Sequence, residues 1–181
     1  MELACLDLRK GYLVRYEGRI CSVYFWNILR NDRRLFVQIK FKDLLTGRIT
    51  ELKEHGDTKY EVLDNEQKDL TYSYRDGQEE VFYDEDGEEV RCPQAAAADA
   101  LLWTCETYPG FFVEGKLVTI SLPQSVVAVV KDTAPPLRGQ GSGLKDAVLE
   151  NGVKVKVSLL TAPGEKVRLD SETLEFKERV T

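Results

Sequence analysis

In the run Arg30-Asn31-Asp32-Arg33-Arg34, three guanidinium groups fall within five positions. A guanidinium is planar and carries several N–H donors, so Arg30, Arg33 and Arg34 suit multidonor contacts to phosphate oxygens. Lys40 and Lys42 follow two residues apart, on one side of an extended strand, where they add charges that nucleic-acid backbone would meet. Asp32 repels phosphate, and it can also brace a neighbouring arginine. Two readings of this segment stand side by side: an RNA-facing element, and a solvated basic loop with no partner. A second group is Arg138-Gly139-Gln140-Gly141 with Lys145. Its glycines permit close approach of the backbone to RNA, with Arg138 and Lys145 supplying charge; the same composition also describes a flexible linker.

Residues suited to covalent or metal chemistry are poorly placed. The single histidine, His55, stands beside Glu54 and Asp57 in a charged, turn-like segment, with no nucleophile motif or second histidine to complete a triad. It reads as a surface histidine. Cys5, Cys21, Cys92 and Cys105 have no C-x-x-C spacing, which excludes the usual zinc and redox motifs and leaves buried thiols. Gly139-x-Gly141-x-Gly143 precedes no GK[ST] and opens no evident helix, so it is not a P-loop. The acidic run Glu79-Glu80, Asp84-Glu85-Asp86 and Glu88-Glu89 lacks an EF-hand layout and reads as solvated turns. No enzyme activity, metal or cofactor is expected.

Charged residues make up 31% and apolar ones 43%, which is ordinary for a soluble globular protein. A net charge of −6 argues against a protein that coats nucleic acid non-specifically, while permitting a local basic patch. The longest apolar runs, such as Ser125 to Val130, are too short to span a bilayer, and the first residues lack the layout of a signal peptide. The cytoplasm is the simplest compartment, with no membrane and no DNA partner.

The positioning elements are strands. Tyr12 to Tyr16 and Ile20 to Phe25 flank Glu17-Gly18, a hairpin signal. Leu35, Val37, Ile39 and Phe41 alternate with Phe36, Gln38, Lys40 and Lys42, giving a strand with a mainly polar outer face, and Thr46-Gly47 marks the next turn. The segment from Asn27 to Arg34 between these strands is longer than an economical hairpin loop, and extra loop length on a small barrel usually has a use. Glu61 to Asp69 reads as a polar connection. Leu70 to Tyr74, Val81 to Tyr83, Phe111 to Val113 and Leu117 to Leu122 make a second β unit, interrupted by a short alanine-rich helix from Gln94 to Trp103 whose Leu101, Leu102 and Trp103 are expected to cap a barrel. Val153, Val155, Val157 and Leu159 alternate with Lys154, Lys156 and Ser158; Val167, Leu169, Leu174 and Phe176 resume the pattern after a turn at Ala162-Pro163-Gly164. No helix alternates regularly with strands, so a doubly wound parallel sheet is disfavoured. An all-β chain of three small barrels fits, divided at 1–65, 66–127 and 128–181.

Ala147, Leu149-Glu150, Gly152, Gly164-Glu165-Lys166-Val167-Arg168, Asp170, Thr173, Glu175-Phe176 and Arg179 resemble, position for position, the C-terminal domain of bacterial elongation factor P. Asp7-Leu8-Arg9-Lys10-Gly11, Leu44-Leu45-Thr46-Gly47-Arg48, Tyr72-Ser73-Tyr74-Arg75-Asp76-Gly77, Val81-Phe82 and Leu122-Pro123 extend the resemblance over nearly the whole chain. It implies an SH3-like, KOW-type N-terminal barrel followed by two OB-type barrels arranged in an L. It also implies a monomeric, non-enzymatic factor that binds both ribosomal subunits between the P and E sites, beside peptidyl-tRNA, and relieves stalls at consecutive prolines.

Two positions depart from the family pattern. Typical members end the first long loop in a glycine-flanked lysine, often modified, that points towards the CCA end of the P-site tRNA. Aligned without gaps from Phe25 to Phe36, that position is Asp32, flanked by Asn31 and Arg33, which excludes a lysine-directed modification. Some branches carry a modified arginine at the tip, making Arg33 the candidate for a modifying enzyme here. The family's Gly-Asp-Thr loop, implicated in contacts near the E-site codon, is replaced by Gly139-Gln140-Gly141 in a shorter segment. These departures motivate the alternative: a nucleic-acid or protein-binding paralogue that kept the fold and lost or changed the stall-rescue role.

Overall fold

The computed structural model describes residues 1–31, 33–139 and 142–181, and it is an all-β architecture of three sheets. The first contains β1 (Glu2–Ala4), β2 (Leu13–Tyr16), β3 (Arg19–Asn31), β4 (Arg34–Asp43), β5 (Ile49–His55) and β6 (Lys59–Val62), in the order β1-β6-β2-β3-β4-β5. Every pairing in it is antiparallel. The expected hairpin forms between β2 and β3, with Tyr16 opposite Arg19. Glu17 and Gly18 both take positive φ, 50° and 75°, which a two-residue turn matching the strand twist requires. Along β4 the alternation is realised: Val37, Ile39 and Phe41 are buried with Val14, Cys21 and Val23, while Phe36, Gln38, Lys40 and Lys42 take the outer face.

Asp43, at the end of β4, is nearly buried. Its Oδ1 accepts from the Leu45 and Thr46 N–H groups at 2.8 and 3.3 Å, and its Oδ2 accepts from Arg19 Nη1 at 3.1 Å. Burial pushes this carboxyl up, but the two backbone donors and Arg19 outweigh it and hold the group below the usual aspartate range.

The second sheet contains β7 (Glu66–Asp76), β8 (Glu79–Tyr83), β9 (Glu89–Pro93), β10 (Tyr108–Val113) and β11 (Lys116–Ile120), ordered β11-β10-β7-β8-β9. Its end strands β9 and β11 come into contact, curving the sheet back on itself. The connection from the first sheet is only Leu63 to Asn65, shorter than the polar stretch suggests, because Glu61 and Glu66 to Asp69 satisfy their backbone groups within strands. Between β9 and β10 lies α1 (Gln94–Leu101), whose buried side is Ala96, Ala97 and Ala100. Ala96 packs with Leu13, Leu44, Leu63, Val113 and Val118 in one cluster that the first two sheets share. The capping trio departs from expectation: α1 ends at Leu101, Leu102 is about half exposed, and Trp103 joins the core of the third sheet instead. Glu80 departs too, since it is buried on β8 between Arg75 and Cys92 rather than solvated in a turn, and Arg75 Nε donates to its Oε1 at 2.5 Å.

The third sheet contains β12 (Ser125–Thr133), β13 (Leu144–Leu149), β14 (Lys154–Ser158), β15 (Lys166–Asp170) and β16 (Phe176–Val180), ordered β14-β13-β12-β15-β16 and antiparallel throughout. β12 serves two partners in succession: Ser125 to Val129 pair with β15, and a bulge after Val130 hands Asp132 and Thr133 to β13. Val126, Val130, Ala147, Leu149, Val155, Val157, Val167 and Leu169 close around Trp103. The chain forms two compact units, one of residues 1–98 and 110–120, the other of residues 99–109 and 121–181.

Two consequences can be measured. A Cβ at buried Gly110 would stand 2.3 Å from Leu70 Cδ1, so Gly110→Ala is expected to lower the unfolding free energy by about 1–3 kcal/mol in a urea titration. The free thiols of Cys5 and Cys21 are pushed up to about 11, and that of Cys92 to about 12, first by burial and then by nearby carboxylates. The folded state keeps these protons above pH 9 while the unfolded chain releases them. Stability is therefore expected to be level up to about pH 8.5 and to fall from pH 9 towards pH 11, by roughly 1.4 kcal/mol per pH unit for each thiol, in denaturant midpoints taken across that range.

Candidate nucleic-acid interface

The segment from Asn27 to Arg34 is not an irregular loop. β3 and β4 stay paired through it, with Asn27 opposite Gln38, Ile28 opposite Val37, Leu29 opposite Phe36, Arg30 opposite Leu35 and Asn31 opposite Arg34. Ile28, Leu29, Leu35 and Phe36 are good strand formers, and continuing the ladder satisfies backbone groups that a loop would leave to water. β5 accompanies β4 only as far as His55 opposite Phe36. The last two rows of β3 and β4 therefore form a two-stranded arm beyond the sheet, anchored where Gly56 N–H donates to the Leu35 carbonyl at 3.0 Å.

The register assigns faces to the sequence-predicted residues. Arg30 shares its row with Leu35 on the face that continues the core side, whereas Arg34 shares the opposite face with Phe36, Lys40 and Lys42. Arg33 is exposed in the turn, Asp32 lies outside the described residues, and the backbone of Asn31 ends β3. The arginines thus present charge to both sides of the arm rather than forming one cluster. At the root, Arg9 sits 4.5 Å from the centre of the Trp26 ring and donates to the Leu6 and Leu8 carbonyls, while Trp26 Nε1 donates to the Cys5 carbonyl at 2.8 Å.

Residues that sequence reasoning missed as part of a site, Tyr24, Phe25, Phe36 and Lys53, join Lys40 and Lys42 on the outer face. Lys40 Nζ lies 5.2 Å from the Phe25 ring centre, Lys42 Nζ 5.9 Å from that of Tyr24, and Lys53 Nζ 4.8 Å from that of Phe36. The exposed His55 ring lies 4.8 Å from Phe36. The alternation along β4 places Phe36 on this side, but a bulge between Val23 and Phe25 turns both Tyr24 and Phe25 outward, which a strict two-residue period does not foresee.

In the third sheet's loop, Arg138 is exposed and Gly139 takes φ 78°, while Gln140 and Gly141 lie outside the described residues. Lys145, on β13, is turned to its own chain, with Nζ donating to the Ala134 carbonyl at 2.5 Å and the Thr161 carbonyl at 2.6 Å. It holds the base of the loop, together with the Leu137 N–H to Leu159 carbonyl bond at 2.9 Å. Among the described residues no histidine, cysteine or carboxylate group gathers into a candidate metal site, and no helix is long and apolar enough to cross a membrane. The arm thus carries arginine charge, and the outer face of the sheet at its root carries lysines set against aromatic rings.

The family model for the elongation factor P C-terminal domain matches residues 126–179. Elongation factor P of Mycobacterium marinum (strain ATCC BAA-535 / M) is 32% identical over 180 residues, covering 96% of both chains. That of Bordetella avium (strain 197N) is 34% identical over 148 residues, covering 80% of both. Among solved structures, a eukaryotic translation initiation factor 5A from Methanococcus jannaschii aligns with 67% of this chain and 92% of its own, at 13% identity and a TM-score of 0.47. With relatives this similar along nearly its full length, the chain belongs to the elongation factor P family of translation factors.

Proposed function

We propose that this protein binds the ribosome between the P and E sites and speeds peptide-bond formation at consecutive prolines by steadying the end of the peptidyl-tRNA. The observation that supports this most directly is the paired β3–β4 arm, which carries the exposed Arg33 in its turn two ladder rows beyond β5. A hydrogen-bonded ribbon holds its tip more rigidly than a loop of the same length. Rigidity matters for a positional role, because a factor that pre-orders poorly aligned reactants lowers the entropic part of the barrier without supplying reacting groups. In this reading Arg30, Arg33 and Arg34 contact the tRNA end, Lys40 and Lys42 hold nearby backbone, and the catalytic groups are the ribosome's own. Arg33 is the residue on which a modifying enzyme would act. Arg138 and the Gly139 to Gly141 segment form the second contact, towards the E site, with Lys145 bracing the loop from below. The protein works as a cytoplasmic monomer of three folding modules, 1–65, 66–127 and 128–181.

A second reading, a paralogue with a changed nucleic-acid role, is favoured by one feature, the acidic residue Asp32 in place of the family's tip lysine. Tri-proline synthesis on purified ribosomes separates the two. Addition of the protein is expected to accelerate it, and replacing both Arg33 and Arg34 by alanine is expected to cut the acceleration at least tenfold, the scale of two lost charge-assisted phosphate contacts. Ribosome binding without acceleration, for protein from its native source with its mass verified, would establish the paralogue reading.

A further inference from the structure

We propose that the outer face of β3, β4 and β5 is a stacking platform for unpaired RNA, on which Phe25 and Phe36 take bases and Lys40, Lys42 and Lys53 take the intervening phosphates. Three ammonium groups each rest over an aromatic ring on this one face, at 5.2, 5.9 and 4.8 Å from the ring centres of Phe25, Tyr24 and Phe36. Tyr24 and Phe25 are each about two-fifths exposed, more than core packing requires. Arg34 extends the positive charge towards the turn, and among the described residues of these strands the one carboxylate on the face is Glu51, which accepts a hydrogen bond from Gln38 Nε2. On a chain of net charge −6, such a face is locally set apart from the bulk.

The alternation of ring and ammonium selects the partner. A duplex offers phosphates but keeps its base faces stacked, so it would use the lysines and leave the rings idle. An acidic peptide would do the same. A single strand presents both, and base stacking on an aromatic side chain is a stronger contact than an exposed ammonium resting on a ring. An arriving base therefore displaces the ammonium, which swings to the adjoining phosphate. The rows of Phe25 with Lys40 and of Leu29 with Phe36 flank the row of Asn27 with Gln38, placing amide groups between the rings where a base edge would fall. The platform rests on the proposed ribosomal role only for naming RNA as the strand it meets.

The test measures fluorescence anisotropy of a labelled short oligo-uridine and of a labelled RNA duplex, with the full-length protein at low salt. Replacing Phe25 and Phe36 together by leucine keeps apolar bulk while removing the flat rings. It is expected to weaken single-strand binding about tenfold or more and leave duplex binding unchanged. Replacing Lys40 and Lys53 by glutamine is expected to weaken both and to lower the single-strand salt slope by about 0.7 per lysine. Should the leucine variant melt early, Phe25→Trp keeps a ring, and the fluorescence of the introduced indole is expected to be quenched by oligo-uridine. Unchanged single-strand binding by a folded leucine variant, no quenching in the Phe25→Trp variant, or poly-glutamate displacing oligo-uridine equally from both proteins would overturn the platform. Alanine at Arg33 alone serves as control: single-strand binding that survives it while stall rescue falls separates the platform from the tip.

Discussion

The hydrogen-bonded side chain of Asp43 holds the register on which the first sheet depends. Arg19, the first residue of β3, and the turn that follows β4 are joined through its two oxygens. From that point the β3–β4 ladder runs from Cys21 opposite Asp43 to Asn31 opposite Arg34. A slip of one residue along β4 would exchange Val37, Ile39 and Phe41 for Phe36, Gln38 and Lys40, emptying the core and burying a charge. Because the carboxyl is held below the usual range, it remains an anion throughout neutral conditions, and the donors that converge on it stay satisfied.

The same ladder explains why the arm can be both exposed and ordered. Ten residue pairs join the two strands, so the outermost rows inherit their direction from a buried base. The root is locked on one face by Arg9 and Trp26, and on the other the lysines lie along aromatic rings. Charge that would be mobile on a loop is thereby given a fixed side of the arm. In the third sheet the logic differs: Lys145 donates its ammonium hydrogens to two carbonyls of its own chain, so its charge closes the base of a loop instead of standing ready for an external phosphate.

Side chains in the connections and side chains in the core meet different physical demands. Gly139, at one of the two departures from the family pattern, is exposed and lies outside the strands, where side-chain identity places little demand on packing. The positions that resemble the family in the third sheet, Ala147, Leu149 and Val167 among them, are buried around Trp103. Others that resemble it, Glu150, Gly152, Gly164, Lys166 and Arg179 among them, are exposed, so the resemblance runs through core and surface alike.

What the chain determines locally was legible in the order of residues. Alternation gave β4 and its buried face, Glu17-Gly18 marked the first hairpin, and the alanines marked α1. Each of these depends on neighbours within a few positions, where period and turn chemistry act directly. Only the tertiary structure decided that Asn27 to Arg34 would pair as an arm, that the bulge after Val23 would bring Phe25 over to Lys40, and that Lys53 and His55 would join Phe36 on that face. Tertiary packing also sent Trp103 to the third core and buried Glu80 beside Arg75. The physical reason is that a period of two says which residues share a face, but not what covers that face or where a bulge reverses it. Those depend on strands and clusters brought together from distant parts of the chain.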